Sequence, residues 1–254
     1  MPRLLKALPL ILAIAALSLV ATGCGTSNTQ ARFVNAIPDT HDYGEVGLDV
    51  QVSGTKEFTD VAFGAASAST YVGIPAGSVT IEGFETNTST EVFNEQNVSL
   101  SSGTQYTLVA TGFATGTNGD NVIFLNPTDN NTEPSNGQVS FRVINASPSG
   151  PTAVDVWILP APVNTPLTEP ATISSVAYRS ASNYYTTSYN SGGGGFLLYV
   201  TVSGNTSSPI IDGQAILQFG GVNEGSIRTI VLTDVANGTP QRMNSNAILL
   251  DDLN

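Results

Sequence analysis

Phe141-Arg142-Val143-Ile144-Asn145-Ala146-Ser147-Pro148 has a counterpart far upstream, Arg32-Phe33-Val34-Asn35-Ala36-Ile37-Pro38. The two arginines are 142 − 32 = 110 residues apart. From its Arg, each copy reads two large apolar residues, Asn-Ala, one variable residue and Pro. Each is followed, after a loop, by an apolar-Asp-Val step: Leu48-Asp49-Val50 and Val154-Asp155-Val156. The correspondence continues in order. Val61-Ala62-Phe63-Gly64 answers to Val176-Ala177-Tyr178-Arg179, residues 106–111 to 228–233, and residues 122–125 to 247–250. A repeat this long implies two copies of one domain rather than a solenoid of short units.

The repeated runs are short, apolar and β-branched, and they are broken by Gly, Pro, Asn, Asp, Ser and Thr. That is the composition of strands separated by turns. Leu48-Asp49-Val50-Gln51-Val52 alternates with period two, as a half-buried strand should. No stretch carries the sustained helical periodicity that a parallel βαβ sheet needs. The fold expected is all-β, with two tandem immunoglobulin-like β-sandwiches; a closed barrel is the alternative. The first domain runs over 31–127, a polar linker over 128–137, and the second domain over 138–254. The linker is expected to be exposed and the two cores independent. Alternation places Leu48, Val50, Val52, Val154, Val156 and Ile158 inside, and Asp49, Asp155, Gln51 and Trp157 outside. The repeated Arg32 and Arg142 are then expected to pair with Asp49 and Asp155 as surface ion pairs, each worth ~0–1 kcal/mol.

Residues 1–23 read as a targeting segment, with Arg3 and Lys6 ahead of an apolar run over 8–20. That run is shorter than the ~20 residues of a spanning helix, and small residues precede Cys24, as at a signal-peptide cleavage site. Ala21-Thr22-Gly23-Cys24 resembles the lipobox of bacterial lipoproteins, although Ala21 stands where Leu is commoner. The resemblance implies cleavage before Cys24 and acylation, palmitate included, of its sulfur and amine. Residues 24–30 would then be a short tether. Stable attachment needs more than one acyl chain, which this chemistry supplies. Gly25 after the Cys, by the same resemblance, points to the outer membrane or cell surface. Cys24 is the only cysteine, so no intrachain disulfide can form.

Loss of Arg3 and Lys6 with the leader leaves 8 − 2 = 6 basic residues against 20 acidic ones. A nucleic-acid partner needs a basic footprint and is not expected. The charge also disfavours adhesion of the protein surface to anionic lipid, and it suits a soluble envelope domain.

The segment Arg142-Val143-Ile144-Asn145-Ala146-Ser147-Pro148-Ser149 with Val154-Asp155-Val156 resembles the start of the domain-of-unknown-function 4397 family. Residues 32–39 and 48–50 carry a looser version, with Ile37 in place of Ser and a longer loop over 40–47. The resemblance implies a secreted or lipid-anchored bacterial protein, often with tandem copies. It implies no activity for any residue.

The chemistry of common enzymes is hard to assemble from these residues. His41 is the only histidine, so a histidine-rich zinc site is excluded, and no Gly-x-Ser-x-Gly elbow occurs. The glycines at 192–195 lack the Lys and Ser/Thr of a phosphate loop. Asp39, Asp42 and Glu45 offer hard oxygens in one loop, but their spacing fits no calcium motif and reads as a solvated acidic loop. No catalytic residue, metal or cofactor is therefore expected. Aromatic residues mark the second copy instead. Tyr184, Tyr185 and Tyr189 sit among Asn, Ser and Thr before the four glycines, where the first copy offers only Tyr71. Tyr178 aligns with Phe63 and reads as core. Tyr with Ser, Asn and Gly is the composition of binding loops. Tyr184, Tyr185, Tyr189 and an outward Trp157 form the candidate ligand site, for a glycan or an envelope protein. The functional expectation is a lipid-anchored envelope protein acting as a non-catalytic binding, adhesion or scaffolding module. The alternative is a secreted carboxylate-dependent hydrolase such as a glycosidase, since 20 acids allow many pairs.

Overall fold

The Arg-bearing run of each copy is the central strand of a sheet in the computed structural model. The structure describes residues 29–39, 47–67, 70–115, 122–161, 167, 170–189, 195–207, 209–215, 222–234 and 246–253. The leader, Cys24, His41, Asp42 and Glu45 lie outside them. The first half contains β1 (Thr29–Ala36), β2 (Leu48–Val52), β3 (Thr55–Val61), β4 (Ala65–Ala66), β5 (Val72–Ile74), β6 (Gly77–Glu85), β7 (Glu91–Leu100), β8 (Gln105–Thr111) and β9 (Ile123–Leu125). The second contains β10 (Gln138–Asn145), β11 (Ala153–Pro160), β12 (Ile173–Ala177), β13 (Ser180–Ala181), β14 (Tyr185–Ser188), β15 (Phe196–Val202), β16 (Pro209–Ala215), β17 (Ile227–Thr233) and β18 (Asn246–Asp251). No helix occurs among the described residues.

Each half is a β-sandwich of two sheets, as the strand pattern predicts. One sheet of the first half has the order β4-β1-β8-β9 with β5 also on β1; the other is β3-β2-β6-β7. The second half repeats this as β13-β10-β17-β18 with β14 on β10, and β12-β11-β15-β16. β1 pairs in parallel with β8, and β10 with β17. Parallel neighbours need a long crossover, and the intervening strands provide it.

The inward residues behave as alternation requires. Phe33, Val50, Val52, Ile81, Phe93 and Leu108 share the first core, with Phe33 and Phe58 centroids 5.9 Å apart. Val154, Val156, Ile158 and Leu198 share the second, where Phe141 meets Phe196 edge-on at 5.1 Å. Gly83 lies flat under Phe93; a Cβ there would fall 2.1 Å from the ring, so the core demands glycine.

β1, β8, β10 and β17 are buried on both faces. Their outward residues Val34, Ala36, Val109, Ile144, Ala146 and Val231 form a third core, completed by Leu250 and shared by the two halves. The two central sheets therefore pack on each other, and this shared core is added to the core that each half keeps of its own. A strand buried on both sides reads as a continuous apolar run rather than an alternating one, and residues 108–110 and 230–232 read that way.

The repeated polar residues serve this architecture. Asn35 Nδ2 donates to the Val61 carbonyl at 3.0 Å, and Asn145 Nδ2 to Val176 at 3.2 Å. Each Asn clamps its sandwich's two sheets together. The aspartates hold bulges. Asp49 accepts from the Asp60 N–H at 3.0 Å, and Asp155 from the Ser175 N–H at 2.7 Å. Asp60 and Ser175 have φ of 50° and 53°, a left-handed conformation that costs an L-residue roughly 1–2 kcal/mol. The carboxylate bond offsets that cost where the β2–β3 and β11–β12 registers shift. Asp49 turns away from Leu48 and Val50 but is only 3% exposed, because Lys56 and Thr86 also converge on it. Neither repeated arginine pairs with these aspartates.

Candidate functional site

Arg32 lies opposite Thr107 in the β1–β8 ladder, and Arg142 opposite Thr229 in the β10–β17 ladder. Both side chains point into the contact between the sandwiches and are 2% exposed there. Arg32 Nε donates to Thr107 Oγ1 at 2.9 Å, Nη1 to the Asp251 carbonyl at 2.6 Å, and Nη2 to Asp252. Arg142 repeats the set: Nε to Thr229 Oγ1 at 3.1 Å, Nη1 to the Thr128 carbonyl at 2.8 Å, and Nη2 to Asp129. Each Asp also serves its own half. Asp129 accepts from Tyr71 and Thr107, both at 2.7 Å. Asp252 accepts from Tyr184 at 2.6 Å and Thr229 at 2.7 Å. Tyr71 stacks 4.9 Å from the Arg32 guanidinium, and Tyr184 lies 4.8 Å from that of Arg142.

This junction is a closed, charge-balanced network of two arginines and two aspartates, in which each half's Asp completes the other half's Arg. Burial works against the Arg32 charge, but Asp252 and Asp129 outweigh it and raise the pKa. Burial also pushes the Tyr71 and Tyr184 phenols far above their ordinary value, so both remain hydrogen-bond donors. Burial raises the Asp252 carboxyl as well, against the pull of Arg32. The two carboxylates are fully enclosed, so no substrate reaches them.

Beside the junction, on the second sandwich, an open groove of about 460 Å³ runs between two sheet edges. Residues 172–176, around edge strand β12, form one wall; residues 180–185, leading into β14, form the other. The lining holds Ser, Thr, Asn and Tyr with Ile, Val and Ala, and no charged side chain. Asn183 is exposed, and Tyr185 is 39% exposed, one of two large apolar side chains so open among the described residues. Thr172 Oγ1 accepts from the Ile158 N–H at 3.0 Å.

The candidate aromatic patch is divided by the structure. Tyr184 and Tyr185 reach the groove. Tyr189 is half-buried against the second core. Trp157 does turn away from Val156 and Ile158, with Tyr199 opposite, yet it is 2% exposed and closed to a ligand. Alternation gives the face a residue occupies, not whether that face is covered. Tyr178 is half-buried rather than core; it stacks on Arg179 at 4.9 Å, and its hydroxyl lies 3.5 Å from Thr111 of the first sandwich. Asp39, the described member of the acidic loop, accepts from the Ala114 and Thr115 N–H groups at 2.6 and 3.0 Å and acts as a loop clamp. Asp129 and Asp252 were missed from the sequence. Their signal was positional: each follows its copy's last apolar run by a few residues.

No curated protein matches the chain. The family described as Domain of unknown function (DUF4397) matches residues 29–157, which span the whole first sandwich, β10 and the first part of β11. That is a little over half of the 254 residues, and the protein belongs to this family.

Proposed function

We propose that this chain is a lipid-anchored cell-envelope protein, built from two copies of the family domain, whose second copy binds a neutral oligosaccharide without catalysis. The observation that carries the binding reading is the uncharged, hydroxyl-lined groove with Tyr185 open beside it. Tyrosine offers a flat apolar face with a polar tip, which suits a sugar ring. The volume is that of a small-ligand site. A formal net charge of −12 repels anionic polymers and favours an uncharged ligand. The anchor reading rests on Cys24 and the run before it. The reading of two family copies rests on the identical strand orders of the halves and the matched Arg, Asn, Asp and Tyr positions.

Titration calorimetry with maltohexaose and cellohexaose tests the groove. The expected result is binding by the wild type that weakens at least tenfold in Tyr185→Ala and Asn183→Ala, with unchanged melting temperature. Absence of sugar heat, or saturation by an extended peptide instead, overturns the oligosaccharide reading.

A further inference from the structure

Tyr184 belongs to two structures at once. It lines the groove of the second sandwich, while its hydroxyl donates to Asp252 and accepts from the Asn130 N–H at 3.2 Å. Asp252 is held in turn by Arg32 of the first sandwich. The backbone pairs this wall with β10 at both ends but not at Asn183 and Tyr184. Ser182 bonds to Val143 of β10, but residues 182–184 form no ladder, and pairing resumes only at Tyr185. The side-chain anchors of Tyr184 therefore set where this stretch of the groove lies. Tyr71, the equivalent residue of the first half, is tied to Asp129 and so depends on the Arg142 side of the junction.

Resting on the groove reading above, we infer that the first sandwich positions the ligand groove of the second. Arg32 acts through Asp252 on Tyr184, and groove occupancy and docking of the two sandwiches are coupled. Linkage makes the coupling reciprocal: a ligand that prefers the docked arrangement stabilises docking by the same factor.

The test uses the full chain with Arg32→Met, a change confined to the first sandwich, and Tyr71→Phe as the control that spares the Asp252–Tyr184 bond. Hydrogen exchange needs no ligand. Amides of 182–185 are expected to speed up about tenfold more than those of β15 in Arg32→Met, since β15 reports only the general loss of stability. No change at 182–185, or an equal rise across β15, overturns the positioning role. Titration with the same hexaoses is expected to show about tenfold weaker binding in Arg32→Met and less than twofold in Tyr71→Phe. Equal affinity of Arg32→Met and wild type overturns the coupling. If the wild type binds neither sugar, the groove reading and the coupling fall together, while the exchange data still decide whether Arg32 positions Tyr184. Should Arg32→Met not fold, Arg32→Lys keeps the charge and loses the planar fork, with the same pattern expected at about threefold.

Discussion

Arg32 and Asp252 meet in the closed junction between the two sandwiches, 220 positions apart in sequence. The matching pair, Arg142 and Asp129, is separated by only 13. The two bonds are equivalent in chemistry and burial, yet one closes almost the entire chain. Arg32 reaches its partner only when the last strand, β18, has joined the second sandwich and the sandwiches have docked.

Removing one member of this network strands a buried charge. Arg32→Met is expected to cost about 3–5 kcal/mol, the usual penalty for breaking a buried pair from one side. Arg32→Met with Asp252→Leu, which leaves no lone charge at that pair, is expected to cost less than Arg32→Met alone. Urea unfolding of both variants checks the order; a double variant less stable than the single one would contradict it.

Cleavage at an engineered protease site within 131–136, where the segment is mostly exposed, should leave the halves together. The third core and the two Arg–Asp bonds hold them without the covalent link. Size-exclusion chromatography of the nicked protein is expected to show one species at the intact mass. Two separate folded fragments would mean that the junction is weak.

Acid should act through the bulge carboxylates. Burial works to raise Asp49 and Asp155, but their hydrogen bonds prevail and hold both below the ordinary carboxylate value. A folded pKa below the unfolded one means stability that is present above about pH 4 and lost as pH falls through the folded value. Asp252 has the opposite sign: its raised carboxyl favours the folded state in acid and costs stability as pH rises through its folded value. Asp49→Asn and Asp155→Asn are expected to cost about 1–3 kcal/mol each at pH 7 and to flatten the fall in urea midpoint between pH 5 and 3. An unaltered acid limb in both variants would remove the assignment.

Trp157 is the single tryptophan and is buried. Its emission should be blue-shifted, weakly quenched by acrylamide and insensitive to sugar. Trp157→Ala is expected to cost about 3–5 kcal/mol. Red-shifted, readily quenched emission would return Trp157 to the surface.

Cys24→Ser should abolish acylation and release the protein from membranes. Retention of the variant in the membrane pellet after a carbonate wash would contradict the lipid anchor.

Much of this molecule is legible without coordinates. The 110-residue offset between Arg32 and Arg142, the Asp-Val steps and the period-two pattern of 48–52 are local properties of the chain. They specify strand after strand and an all-β fold in two halves, because side-chain alternation follows from backbone geometry alone. Alternation also assigned Val50, Val156 and Ile158 correctly to cores. What each outward residue meets is a different question. Alternation turns Trp157 and Asp49 outward, but it reports a face and not its cover. The motif sets Arg32 near Asp49, whereas its partner Asp252 lies 220 positions away. The third core and the Arg–Asp exchange exist only because two finished sandwiches press one sheet of each together. No local pattern encodes which residues a docked surface will enclose. The groove is likewise tertiary: β12 and the approach to β14 become its walls only when the two sheets of the second sandwich set their edges side by side.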